Sequence, residues 1–137
     1  MRLRVRRSAH VLERLGLAMA GAACGLFVSA HVGSSISFLT TQAFLLFMMI
    51  AGAIAFYLGI DTPQMPFHPE DDRFSIDTAE FCSAVGTFLA TLTAFLSVGI
   101  IILREEPHLA WTVLIGLGWT LGIVMQIVGG LKARTRK

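Results

Sequence analysis

The sequence predicts an all-α integral membrane protein, a four-transmembrane-helix bundle with both termini cytoplasmic. Two observations predict it: long runs without a charge, and a one-sided placement of Lys and Arg. Of the 137 residues, 55% are apolar and 15% charged, with a net charge of +2. The charges stand almost wholly outside the apolar runs, which excludes a disordered chain, a nucleic-acid-binding domain and an ordinary soluble fold.

The uncharged runs cover 46 residues from Leu15 to Ile60, 23 from Phe81 to Leu103 and 25 from Pro107 to Leu131. A helix rises about 1.5 Å per residue, so a hydrocarbon core of about 30 Å takes about 20 residues. The first run therefore holds two spans, dividing at Gly33-Ser34-Ser35, where small and hydroxyl residues favour a turn. Helices are expected near 12–31, 36–60, 77–103 and 108–131, in one membrane domain covering 1–137. Backbone polar groups in lipid must pair internally, and continuous apolarity excludes the alternation of a barrel. The stretch Asp77-Thr78-Ala79-Glu80 has an acidic cap with Glu three residues later and opens the third helix. Pro107 suits the first turn of the fourth.

Orientation follows from the cations. Arg2, Arg4, Arg6, Arg7 and Arg14 precede the first span, and Lys132, Arg134, Arg136 and Lys137 follow the last. With an even number of spans and Arg73 in the 61–76 loop, ten Lys or Arg fall on one side and Arg104 alone on the other. The positive-inside rule places the ten, the basic tails 1–11 and 132–137 and the loop in the cytoplasm. The basic start and the Leu15–Val28 stretch mimic a signal peptide. The run is long enough to span, however, and it is read as a retained helix of a bacterial inner-membrane protein.

Helices associate in lipid through close contact of small residues and a few interhelical hydrogen bonds. Gly21, Gly25, Ser29 and Gly33 recur every four residues on the first helix, and Gly118 and Gly122 form a GxxxG on the fourth. Ala51, Ala55 and Gly59 are expected to do the same on the second helix, and Gly86, Ala90 and Ala94 on the third. These faces are read as helix-packing surfaces within the chain, with homo-oligomerisation as the other use. The polar residues within the spans are neutral. Ser83, Thr87 and Thr91 line one face of the third helix, and Gln126 lies at a similar depth on the fourth, so an interhelical bond between Thr87 and Gln126 is expected.

No catalytic residue, metal ligand set or cofactor is expected. His31 and His108 should lie at the outer surface with Gln42 and Thr112, a polar outer cluster that is the nearest approach to a ligand site. Cys24 and Cys82 lie at different depths, too far apart for a disulfide, and are read as free thiols. Trp111 and Tyr57 suit the two interfaces, and Trp119 the bundle interior.

The loop 61–76 carries three prolines, and the interval Asp61–Glu80 has six acids against one Arg. Phe67, Glu70, Asp71 and Asp72 of the acidic loop and Arg4, Arg6 and Arg7 of the basic start are expected to face a partner or anionic lipid headgroups. No ionisable residue stands deep in any span, whereas pumps and coupled transporters generally need one. The expectation is a small non-catalytic structural, assembly or accessory component of the cytoplasmic membrane, in contact with lipid, other membrane proteins or its own copies. Two other classes stay open: a minimal oligomeric transporter or channel, and a redox accessory subunit using His31 and His108.

Overall fold

The computed structural model describes residues 2–59, 78–103, 105–106 and 108–135, with side chains from residue 10 onward. Its elements are α1 (Arg2–Ser35), a 3-10 turn (Ser37–Leu39), α2 (Gln42–Leu58), α3 (Thr78–Leu103) and α4 (Leu109–Thr135). There is no strand among the described residues. The segments His10–Ser35, Thr78–Leu103 and Leu109–Thr135 are long and apolar enough to cross a membrane, and α2 is a fourth, shorter apolar helix of 17 residues. The protein is an all-helical membrane protein.

The helix boundaries differ from the sequence expectation in four places, each with a local cause. α1 starts ten residues earlier than expected because Arg, Leu and Ala at its start are good helix formers. It also runs through Gly33-Ser34-Ser35 instead of turning there. The Ser34 and Ser35 hydroxyls both donate to the His31 carbonyl, at 2.7 and 3.2 Å, and so satisfy themselves within helical geometry. The chain turns over 36–41 instead. Thr41 is the extended N-cap of α2, with its Oγ1 accepting from the Phe44 N–H at 3.3 Å, so α2 begins at Gln42 and not near residue 36. α4 continues past Leu131 to Thr135, with Lys132 and Arg134 in the last turn, where cations complement the helix dipole.

Successive helices run antiparallel, and the closest-packed pairs are α1 with α2 and α3 with α4. A Cβ on Gly21 would collide with the backbone carbonyl of Gly52, and one on Gly25 with that of Met48. On the other pair, a Cβ on Gly122 would lie 2.8 Å from the Ala90 nitrogen and 2.8 Å from the Gly86 oxygen. Both hairpins are thus closed by backbone meeting backbone, which glycine alone permits. The buried face of α2 is Met48, Gly52, Ala55 and Phe56; of the expected Ala51, Ala55 and Gly59 stripe, Ala55 is in the core and Ala51 packs against it, while Gly52 makes the closest approach to α1. The core between the pairs is Val28, Val32, Met48, Ala55, Phe56, Ala90, Ala94, Ile115, Trp119 and Ile123. Phe38, Phe95 and Leu117 belong to a large set of exposed apolar side chains, 85, 76 and 68% exposed, as suits a surface that meets lipid tails.

Candidate functional site

The expected outer cluster does not assemble as one solvated site. His31 is fully buried, and neither of its ring nitrogens has a hydrogen-bond partner among the described residues. That corrects the expectation of a surface histidine: because α1 continues to Ser35, His31 lies a full turn inside the helix end. His108 is exposed and lines a cavity of about 300 Å³ with Leu96, Ile100, Glu105, Glu106 and Trp111. Gln42 is exposed in the first turn of α2. Thr112, 1% exposed, bonds to the Ser35 hydroxyl at 2.9 Å and so ties α4 to α1. The two histidines therefore share a backbone network through Ser35 and Thr112, while one side chain is enclosed and the other open.

Between α3 and α4, Gln126 Nε2 donates to Thr87 Oγ1 at 2.6 Å, and Thr87 donates on to the Ser83 carbonyl at 2.8 Å. Gln126 is 1% exposed, and its Oε1 has no partner among the described residues. Close approach of the helices at Gly86, whose Cβ would lie 2.8 Å from the Gln126 nitrogen, brings this amide to the hydroxyl. Thr91, the third member of the expected stripe, faces outward and bonds back to the Thr87 and Phe88 carbonyls. The buried hydroxyls deeper in α3 are Thr93 and Ser97, which the sequence reading passed over. They lie four residues apart, and Ser97 donates to the Thr93 carbonyl at 2.8 Å.

A site with two arginines forms at the other end of the bundle, around the carboxyl end of α2. A helix leaves its last carbonyls without intrahelical partners, and in an apolar setting each is costly. Arg14 of α1 reaches them from one side, donating through Nη1 to the Gly59 carbonyl at 2.6 Å and the Tyr57 carbonyl at 3.2 Å. Arg134 of α4 reaches them from the other, donating through Nη1 to the Leu58 carbonyl at 2.8 Å and to its own Gly130 at 3.0 Å. Gly130 makes this approach: a Cβ there would collide with the Leu58 carbonyl. His10, Val11, Arg14, Leu15, Tyr57 and Arg134 enclose a half-open cavity of about 270 Å³. By sequence Arg14 stands at the cytoplasmic edge of the first helix and Arg134 in the basic tail 132–137; the signal that singles them out is the short α2, whose end must be capped from neighbours.

The remaining expected sites divide as follows. Gly21, Gly25 and Gly122 lie in the close backbone contacts described above, and a Cβ on Gly118 would meet the Thr93 methyl at 2.9 Å. Ser29 is fully buried and donates to the Leu26 carbonyl at 2.8 Å. Arg4, Arg6 and Arg7 lie on α1 in its first turns. Phe67, Glu70, Asp71 and Asp72 lie outside the described residues. Cys24 and Cys82 are free thiols, and no group of three or more metal-ligating side chains occurs among the described residues. Trp119 is buried with its indole N–H unpartnered among the described residues, while Trp111 and Tyr57 are about half exposed. Comparison of the chain with family models, with curated proteins and with solved structures gives no match.

Proposed function

We propose that the chain is a small non-catalytic multi-pass protein of a bacterial cytoplasmic membrane, a structural, assembly or accessory component, with both termini and the 61–76 loop on the cytoplasmic side. In this reading α2 completes a fourth span. Its 17 residues rise about 25 Å, at the short end of what crosses a bilayer.

The observation that carries the reading is how the small-residue faces are used. Gly21, Gly25, Gly86 and Gly122 are spent on contacts within the chain. That leaves an outer surface of large apolar side chains for lipid and for neighbouring membrane proteins, and it supports a self-contained bundle over a pore assembled through glycine faces. Among the described residues the buried side chains that bear polar atoms are serines, threonines, a glutamine, a tryptophan and a histidine, with no carboxylate of the kind that coupled transport generally uses.

The test is affinity purification in mild detergent followed by mass spectrometry. Specific membrane proteins should co-purify and should be lost when Glu70, Asp71 and Asp72 are replaced by Ala. A solitary monomer without such partners would count against the accessory role.

A further inference from the structure

We propose that the cavity between α1, α2 and α4 is a binding site for the phosphate of an anionic phospholipid headgroup. The proposal depends on the membrane setting of the bundle and not on the accessory role.

Its first support is charge. Two guanidiniums, from Arg14 and Arg134, line one cavity of about 270 Å³ together with His10 and the half-exposed Tyr57, and among the described residues no carboxylate lines it. The carboxyl end of α2 contributes roughly half a negative charge there, less than Arg134 alone brings. Arg134 makes both of its hydrogen bonds through Nη1, which leaves its Nε and Nη2 donors uncommitted among the described residues. A guanidinium already held by carbonyls at one nitrogen has lost its rotamer freedom, so less entropy is lost when its remaining N–H groups meet a phosphate oxygen.

The second support is shape. Val11 and Leu15, 63 and 55% exposed, form the apolar wall of the same cavity and lie at the start of an apolar segment long enough to cross a membrane. A phosphodiester at the arginines thus continues into acyl chain along Val11 and Leu15, whereas a free phosphate would use the charge and leave that wall unmet. The chemistry is a phosphate oxyanion; the source is a lipid. Basic pockets between helices near a membrane surface are suited to such headgroups, at about 1 kcal/mol for each cation.

The experiment is native mass spectrometry of the full chain in detergent, titrated with phosphatidylglycerol or with phosphatidylcholine of the same chains. Wild type should take up the first phosphatidylglycerol at least about ten-fold more tightly than phosphatidylcholine. Arg134→Gln, which leaves the Arg14 cap in place, should weaken the anionic lipid about five-fold. Lys132→Gln, at the same end of α4 but not lining the cavity, should change it less than two-fold, and circular dichroism should show both variants fully helical. Equal binding of the two lipids, an unchanged affinity in Arg134→Gln, or an equal loss in Lys132→Gln would overturn the proposal. So would displacement of the lipid by inorganic phosphate at equal concentration, which would mean that the acyl chain contributes nothing.

Discussion

Arg134, near the end of the last helix, hydrogen-bonds the carbonyl of Leu58, 76 residues earlier, at 2.8 Å. With Arg14 on Tyr57 and Gly59, it makes the end of α2 a junction of three helices. The capping energy expected for each cation at a helix terminus is about 0.3–1 kcal/mol, rising toward 2 where the geometry is partly buried. Arg14 is the more enclosed of the two. Arg14→Ala should therefore cost about 1–2 kcal/mol and Arg134→Ala less. Each should speed hydrogen exchange near the end of α2 before it affects the middle of that helix, and exchange rates uniform along α2 would refute the junction.

The Gly21–Gly52 contact gives the sharpest steric prediction. Because a Cβ on either residue would strike the other's carbonyl, the helices must separate to admit one, and overpacking of this kind costs about 1–3 kcal/mol. Gly52→Val should lower the thermal midpoint in detergent accordingly. Gly16→Ala, where nothing lies within 4 Å, should leave it unchanged or raise it slightly through helix propensity. Equal sensitivity at the two positions would mean that α1 and α2 do not touch at Gly21.

His31 presents the opposite case. A buried polar group without a partner costs about 1–3 kcal/mol, and an apolar replacement of similar volume removes that cost. His31→Leu should stabilise the protein by about 1–2 kcal/mol, read from thermal or denaturant unfolding in detergent. Destabilisation would reveal that the ring holds a bond beyond the described residues.

How far these features were legible in the sequence depends on the length scale of their cause. Uncharged runs and the depth of Gln126 against Thr87 are properties of one-dimensional spacing, and helical rise converts them to position. The Gly33-Ser34-Ser35 turn was misplaced because serine has two roles. In water it favours turns, but in an apolar helix its hydroxyl satisfies itself on the carbonyl three or four residues back, as at His31. That single displacement moved His31 from the surface into the interior and separated it from His108. On α2 the expected Ala51 and Ala55 do face the core, but Gly52 was not singled out as the closest contact, because Ala51 and Gly52 are both small and only the partner helix decides between them. The double arginine cap was invisible because its cause, the unpartnered carbonyls of a short helix, is defined by where α2 stops.

The Thr87–Gln126 bond allows the interior of the bundle to be tested without disturbing its backbone contacts. Interhelical polar pairs in membranes contribute about 0.6–2 kcal/mol, less than in a naive low-dielectric estimate, because the separated helices find other partners. Gln126→Met keeps the length of the side chain and removes the amide; Thr87→Val keeps the shape and removes the hydroxyl. Since Gln126 Oε1 has no described partner, Gln126→Met also relieves an unsatisfied acceptor, so its net cost should be smaller than that of Thr87→Val. In a double-mutant cycle measured by reversible unfolding in mixed micelles, the coupling between the two positions should be about 1 kcal/mol. A coupling near zero, with both single variants still folded, would mean that the 2.6 Å contact contributes nothing beyond packing, and that Gly86 and Gly122 alone hold α3 against α4.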